Sequence, residues 1–311
     1  MRNPSDLNVE GPVHRFEARL MATTFGIYVA GGDRPYAAEA AREAFEEARH
    51  IERELSRYHP ASDVARLRAA DPGQWIRVGP TMLECLRIAG RLHAETGGAF
   101  DVTLGALVDF WRGREEPLDA EQAHELDRHR AHSGMHHLRI DPAEGVVASD
   151  VAGLGVDLGG IGKGYALDCM IERLNEWDLS PVLAHGGQST LRTLGVPKGR
   201  RAWPIDLRHP LEQDATLQTV QLPGGRALAG SGTEGHGRHI IDPRTGRPAP
   251  SRAAWAAAPG AAHADGLSTA FMVMGPDEVA GYCERQPAHA AMLARSSRPR
   301  LEIQSWGNEF Q

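Results

Sequence analysis

The chain is 311 residues long, and its 24% charged and 41% hydrophobic residues are typical of a globular protein with a sizeable core. Its formal net charge of −7 excludes a generally basic surface, so we expect neither nucleic acid nor an anionic membrane as a partner. The three cysteines, Cys85, Cys169 and Cys283, form no CxxC pair, and no run approaches 18 apolar residues, so we expect neither a disulfide framework nor a membrane span.

The first predicted elements are strands and two helices. Residues 15–31 alternate as a strand that turns back at Thr23–Thr24. Apolar residues at helical spacing run from Ala37 to Tyr58, with charges on the opposite face. A second helix fits 80–96, because a proline opens it and a glycine pair closes it.

The rest of the chain mixes short strands with two further helices. A third helix is predicted to begin near Gly164 and a fourth near Asp265. Over 181–245, short β-rich runs are separated by glycine and proline turns. Because helices and clustered strands do not alternate regularly, we expect an α+β fold. No repeat or hinge interrupts the chain, so we expect a single domain over 1–311 with its core at about 15–285.

The segment VDLGGIGKGYALD (156–168) places four glycines and a lysine before a predicted helix. It is not a P-loop, because Gly164 stands where Ser or Thr is needed, and Tyr165 replaces the third glycine of the dinucleotide fingerprint. Free amides at a helix start, together with Lys163, would suit an anion. A tight strand-to-helix turn with a solvated lysine explains the same residues, and both interpretations stay open at this point.

A second segment, HADGLSTAFMVMG (263–275), places Asp265 and Thr269 four residues apart. On a helix, that spacing puts both side chains on one face. A carboxylate and a hydroxyl are oxygen ligands that suit Mg²⁺, which keeps several waters and bridges substrate phosphates. The alternative is that Asp265 is simply the N-cap of the helix.

Four segments form a specific pattern when taken in order: GAFDVT (98–103), DLGGIGKGYALD (157–168), HIIDPRTG (239–246) and ADGLSTA (264–270). Together they resemble the FAD:protein FMN transferases of the ApbE family. With MATTFGIYV (21–29), the resemblance spans about 250 of the 311 residues. It implies an α+β fold with a T-fold-like core, in which helices pack on antiparallel-rich sheets and FAD lies in a cleft between the halves.

The resemblance also implies a chemistry. Family members bind FAD with Mg²⁺, cleave its pyrophosphate, attach FMN through a phosphoester to a Thr or Ser of an acceptor flavoprotein, and release AMP. Some members instead hydrolyse FAD to FMN and AMP. We therefore expect FAD as the substrate, Mg²⁺ as the cofactor and an acceptor flavoprotein as the partner. The sequence does not fix the oligomeric state, and a homodimer is one option.

Carried over residue by residue, the resemblance implies three overlapping groups. The FAD-binding group is Met21, Tyr58, Ala99, Phe100, Asp101, Asp157, Lys163, Ser231, His239 and Ile240. The metal ligands are the carbonyl of Gly160 and the side chains of Asp265 and Thr269. The catalytic group is Lys163, Asp265 and His239.

Two of these residues have alternative interpretations. Tyr58 is expected to pack on the isoalloxazine ring, and it would otherwise be a core tyrosine at a helix end. His239 is expected to take the proton of the acceptor hydroxyl, because histidine titrates near neutrality. In the alternative, His239 only orients a phosphate and an aspartate takes the proton.

The sequence also departs from the family pattern. AHGGQST (184–190) stands where many members have an asparagine-bearing GGN run, and SGTEG (231–235) lacks a common aromatic residue. Part of the flavin or AMP pocket is therefore expected to differ, and three functions stay open: transferase, FAD pyrophosphatase, and flavin binding without catalysis. The first 20 residues lack the apolar core of a signal peptide and no lipobox cysteine is present, so we expect a cytoplasmic protein unless the N-terminus is processed.

Overall fold

The computed structural model describes residues 11–212, 215–233, 240–251, 253–297 and 300–310. Its helices are α1 (Arg34–Leu55), α2 (Asp63–Ala69), α3 (Pro80–Glu95), α4 (Gly105–Trp111), α5 (Ala120–Ala131), α6 (Gly162–Glu176), α7 (Ala261–Val273) and α8 (Pro276–Arg285). Its strands are β1 (Val13–Leu20), β2 (Thr23–Ala30), β3 (Ile76–Arg77), β4 (Leu138–Asp141), β5 (Val146–Ser149), β6 (Val182–Gly186), β7 (Thr190–Leu194), β8 (Trp203–Arg208), β9 (Thr216–Leu222), β10 (Ala227–Gly232), β11 (Ile241–Asp242), β12 (Arg247–Pro248), β13 (Ala253–Ala258), β14 (Ala290–Ser297) and β15 (Arg300–Trp306). None of the helices in these described ranges is both long and apolar enough to cross a membrane.

A large sheet forms the centre of the fold. Its strand order is β1-β2-β6-β7-β10-β13-β14-β15, and every neighbouring pair is antiparallel. The small sheets β3-β5-β4, β8-β9 and β11-β12 are antiparallel as well. The predicted α+β class, with helices packed on antiparallel-rich sheets, is therefore confirmed.

Both faces of the central sheet are buried. In β2, Phe25 and Ile27 belong to the apolar cluster that holds the buried faces of α1, α6 and α7. Tyr28, between Ile27 and Val29, belongs instead to a second cluster with Trp203 and Leu222 of the β8-β9 pair. Because successive side chains of a strand point to opposite faces, the helices cover one face of the sheet and β8-β9 covers the other.

Strand β13 and helix α7 are suited to close packing. The strand reads AAWAAA and is buried throughout, and most residues of α7 are buried too. A helix that is buried on nearly all sides belongs in a protein interior. The two buried polar side chains of α7, Asp265 and Ser268, must therefore find partners inside the protein.

The start of α7 differs from the predicted one. The helix begins at Ala261 rather than near Asp265, so the interpretation of Asp265 as an N-cap is wrong. Gly260 holds the cap position and has no side chain to accept a bond. The carboxylate of Asp168 on α6 accepts the N–H groups of Ala261 and Ala262 instead, at 2.7 and 2.9 Å. A cap supplied by another helix leaves no local sequence signal.

The first hairpin also turns two residues earlier than predicted. Leu20 pairs with Thr23, so the turn is Met21–Ala22 and not Thr23–Thr24. Both turn residues have left-handed backbone, with φ of 47° and 58°. A two-residue hairpin turn of this hand usually uses Asn or Gly, which the sequence does not offer here. The β-branched threonines stay in β2, where extended backbone suits them.

Candidate active site

A cavity of about 910 Å³ opens beside helix α7 and the first turn of α6. Its walls include the β1–β2 turn, the loop after α3, the loop before α6, the turn between β6 and β7, and strands β8, β10 and β13. Ligand pockets in proteins span roughly 300–1,000 Å³, so this one can hold a large organic ligand.

Every predicted site residue that the structure describes lines this cavity. They are Met21, Tyr58, Ala99, Phe100, Asp101, Asp157, Gly160, Lys163, Ser231, Ile240, Asp265 and Thr269. His239 lies outside the described residues. The fold thus brings segments from both halves of the chain around one cavity, while the role of each residue stays a prediction.

Asp265 is a deeply buried carboxylate, with a side chain 4% exposed. Its Oδ2 accepts the N–H of Gly164 at 3.1 Å and lies 3.4 Å from the Nζ of Lys163. Its Oδ1 accepts the hydroxyl of Thr190 at 3.0 Å. A buried charge is tolerable only when it is paired and hydrogen-bonded, and these three donors meet that need.

Helices α6 and α7 touch backbone to backbone at this point. A Cβ on Gly164 would lie 2.2 Å from the carbonyl oxygen of Ala261, which no side chain permits. The contact is held by Asp168, which accepts the first amides of α7 and forms an ion pair with Arg192 of β7. Lys163 and Asp265 therefore meet because two helices cross at a glycine.

The oxygen atoms of Gly160, Asp265 and Thr269 could act together as ligands of a hard cation. A Cβ on Gly160 would lie 3.2 Å from the Oγ1 of Thr269, so the loop before α6 rests against the same face of α7 as Asp265. Gly160 precedes α6, so its carbonyl is not consumed by the helix. Among the described residues no group of three or more His, Cys, Asp or Glu side chains is placed to hold a metal. One carboxylate, one hydroxyl and one carbonyl nevertheless fit Mg²⁺, which keeps waters and shares substrate phosphates.

The cavity wall also presents an aromatic ring. Tyr58 is 75% exposed, so the alternative of a buried core tyrosine is wrong. Arg57 lies 5.4 Å from the centre of that ring, and its guanidinium is bound by Asp157 at 2.6 Å and by Asp109. Burial lowers the pKa of Arg57, but the two carboxylates outweigh burial and raise it above its usual value. Arg57 was missed by sequence reasoning, and its position next to Tyr58 was the one available signal.

Two acidic residues of the cavity wall hold its loops in place. Asp101 accepts the N–H and the hydroxyl of Thr103, at 2.7 and 2.6 Å, and the N–H of Met135 at 3.1 Å. The Oδ1 of Asp157 accepts the N–H of Gly159 at 2.8 Å. Because these bonds occupy the carboxylates, the structure places both residues at the cavity wall as supports of its loops.

Several other residues that line the cavity were not predicted from the sequence to belong to the site. Gln188 and Ser189, in the turn before β7, and Arg208 and His209, at the end of β8, face the same cavity. The AHGGQST segment was singled out only because it departs from the family pattern. Nothing in the local sequence indicated that β8, which belongs to another sheet, would reach the site.

Comparisons with known proteins agree with the motifs. The model of the ApbE family matches residues 21–293. The FAD:protein FMN transferase of Klebsiella pneumoniae (strain 342) is 26% identical over 294 residues, which cover 90% of this chain and 83% of that protein. The FAD:protein FMN transferase of Vibrio cholerae serotype O1 is 30% identical over 261 residues, 78% of this chain and 75% of that protein. The crystal structure of Pseudomonas stutzeri flavinyl transferase ApbE superimposes with a TM-score of 0.80 at 28% identity, covering 96% of this chain and 97% of that one.

The match to the family model and the match to the solved structure cover similar parts of the chain. The family model covers most of the chain, including all the motif segments quoted above. The fold match runs over nearly the whole chain. The chain belongs to the ApbE family of flavin transferases.

Proposed function

We propose that the protein transfers FMN from FAD to a Thr or Ser hydroxyl of an acceptor flavoprotein, in an Mg²⁺-dependent reaction that releases AMP. The observation that carries this proposal is the single cavity lined by every described residue of the expected site. The names of the relatives in Klebsiella pneumoniae and Vibrio cholerae support the same reaction.

The residues around α6 provide the anion-binding part of the site. The N-terminus of a helix carries partial positive charge, which favours a phosphate. In α6 the N–H groups of Gly162 and Gly164 are already bonded, to the Leu158 carbonyl and to Asp265, so the phosphate would meet the helix charge rather than these two amides. Lys163, the second residue of α6, adds a full positive charge and is 24% exposed at the cavity wall. These groups would bind and orient the pyrophosphate of FAD.

Asp265, Thr269 and the Gly160 carbonyl would hold the cation. When bound, Mg²⁺ supplies electrostatic stabilisation of charge on the reacting phosphate. Burial of Asp265 keeps its carboxylate fixed and away from bulk water, so the ligand set is organised before substrate arrives.

The exposed ring of Tyr58 and the side chains of Phe100 and Met21 provide apolar surface for the isoalloxazine ring. Aromatic stacking contributes about 0.5–1.5 kcal/mol beyond burial. This surface and the first turn of α6 line the same cavity, as a dinucleotide with an aromatic end and a pyrophosphate requires.

In the proposed step the acceptor hydroxyl oxygen attacks the phosphorus of the FMN half. The bond from that phosphorus to the bridging oxygen breaks, and AMP leaves with the electron pair. The hydroxyl proton passes to a base, for which His239 stays the prediction. The chain's task is mainly to position the phosphate and stabilise its charge.

Incubation with FAD, Mg²⁺ and a purified acceptor flavoprotein tests the proposal. Mass spectrometry of the acceptor, with chromatography of the nucleotides, should show FMN-labelled acceptor and AMP. Free FMN with AMP and an unlabelled acceptor would instead make the protein an FAD pyrophosphatase. If FAD stays unchanged, the remaining function would be flavin binding without catalysis.

Asp265→Asn removes the negative charge of the cation site but keeps the size of the side chain. We expect Mg²⁺-dependent transfer to fall by about 100-fold or more, because fixed charges of this kind contribute about 10²–10³ in rate. Asp127→Asn is the matched control, because its side chain is 72% exposed on α5. Normal transfer by a folded Asp265→Asn protein would show that the metal assignment is wrong.

A further inference from the structure

A residue of the central sheet forms a hydrogen bond with the carboxylate of Asp265. Thr190, the first residue of β7, donates its hydroxyl to Asp265 Oδ1 at 3.0 Å. The two residues are 0% and 3% exposed, so water cannot replace the bond. Oδ2 is already held by Gly164 of α6. The two oxygens of one carboxylate are therefore fixed by two different elements.

The direction of these hydrogen bonds follows from the chemistry of the groups. An ionised carboxylate can only accept, so Thr190 must be the donor, and its one proton is then used. The hydroxyl of Ser189 lies 3.4 Å from that of Thr190 and must donate to it. Ser189 lines the cavity. A chain of hydroxyls thus runs from the cavity wall through Thr190 to Asp265.

The bond from Thr190 determines how the carboxylate is turned. Rotation about the last torsion of an aspartate is only loosely restricted, so one bonded oxygen would not fix the plane. Thr190 is itself held rigidly: its backbone pairs with Gly186 on one side and Ala229 on the other, and its β-branched side chain has restricted χ1. The sheet thereby sets the orientation in which Asp265 presents its oxygens.

The geometry points to Thr190 as a positioning residue, one that orients Asp265 toward the divalent cation of the proposed reaction. This inference rests on the proposed function, because the cation belongs to it. Groups that orient a metal ligand typically change metal affinity by about 10–100-fold when removed. Thr190 acts through Asp265, so its loss should weaken cation binding whether or not FAD or acceptor is present.

The test compares Thr190→Val, which removes the hydroxyl and keeps the branched shape, with Thr190→Ser, which restores the hydroxyl. Thr193→Val is the matched control: Thr193 is on the same strand, is 0% exposed, and donates its hydroxyl to the Pro223 carbonyl at 2.7 Å, away from the cavity. Mn²⁺ binding is measured without FAD, from the electron paramagnetic resonance signal of the free ion. Thermal unfolding of each variant is recorded alongside.

We expect Thr190→Val to bind Mn²⁺ about 10–100-fold more weakly than wild type, with Thr190→Ser and Thr193→Val close to wild type. Thr190→Ala provides a second variant without the hydroxyl if valine unfolds the protein. Wild-type Mn²⁺ affinity in both hydroxyl-free variants, with weak binding by Asp265→Asn, would overturn the role of Thr190 and leave the proposed function standing. Equal Mn²⁺ binding by wild type and Asp265→Asn would overturn the cation site itself.

Discussion

The contact between α6 and α7 at Gly164 makes a sharp prediction about how the fold supports the site. In Gly164→Ala, the added methyl would lie 2.2 Å from the carbonyl oxygen of Ala261 and 2.7 Å from the Cα of Ala262. These are backbone atoms, so no side-chain rotation can relieve the clash. The two helices must separate by about 1 Å to restore ordinary contact.

The cost follows from the contacts that the separation breaks. Overpacking of this kind costs roughly 1–3 kcal/mol, and a lost hydrogen bond to a charged group about 1.5–3 kcal/mol. The bond from the Gly164 N–H to Asp265 is of that second kind. Replacing glycine by alanine returns only about 0.4–1 kcal/mol through the unfolded chain. We therefore expect the free energy of unfolding to fall by roughly 2–5 kcal/mol.

The same displacement should slow the reaction. A shift of about 1 Å in a group that positions substrate can reduce the rate about 100-fold, and the separation moves Lys163 relative to Asp265. Urea unfolding and the FMN transfer assay measure the two effects. Gly162→Ala is the matched control, because it lies on the same helix, does not line the cavity, and its added methyl would meet no atom within 4 Å. If Gly164→Ala proves as stable and as active as Gly162→Ala, the close helix contact is not what assembles the site.

Three further variants test other parts of the account. Asp168→Asn removes the charged partner of Arg192 and weakens the cap on α7, so urea unfolding should show a loss of about 3 kcal/mol; a negligible loss would contradict this anchoring role. Tyr58→Ala should raise KM for FAD about fivefold, the equivalent of roughly 1 kcal/mol of stacking, without changing the melting temperature, since the ring is largely exposed; an unchanged KM would remove Tyr58 from the flavin surface. Burial lowers the pKa of His289 to about 4, below its ordinary value of 6.5. The unfolded chain therefore takes up a proton first, and stability should fall as pH drops from about 6.5 to about 4. His289→Gln, whose amide can still form a hydrogen bond with the hydroxyl of Tyr282, should flatten that dependence, and parallel stability curves would refute it.

Four of the eight helices among the described residues, α1, α3, α6 and α7, were predicted from the sequence, whereas α2, α4, α5 and α8 were not. Periodic apolar residues predicted α1, and a proline with a glycine pair predicted α3, because both signals are local. The order of the central sheet was not accessible. β2 pairs with β6 across more than 150 residues, and no local pattern specifies such a partner.

Residues of the site could be predicted only where they lie in the motif segments of the ApbE family. The loop before α6 and the Asp265 segment stood out through glycines, a lysine and a spaced pair of oxygen ligands. Thr190, Arg57 and Asp168 did not, because each acts through a tertiary contact with a residue far away in the chain. The turn at Met21–Ala22 was misplaced for a similar reason, since its left-handed backbone goes against local preference.

Crystals grown with FAD and soaked in Mn²⁺ would test the central claim most directly. Anomalous diffraction locates the Mn²⁺ ion without reference to any assumed chemistry. We predict one ion bound by the carboxylate of Asp265, the hydroxyl of Thr269 and the carbonyl of Gly160, next to the FAD pyrophosphate and Lys163. An ion bound elsewhere, or FAD lying outside the cavity, would contradict the account.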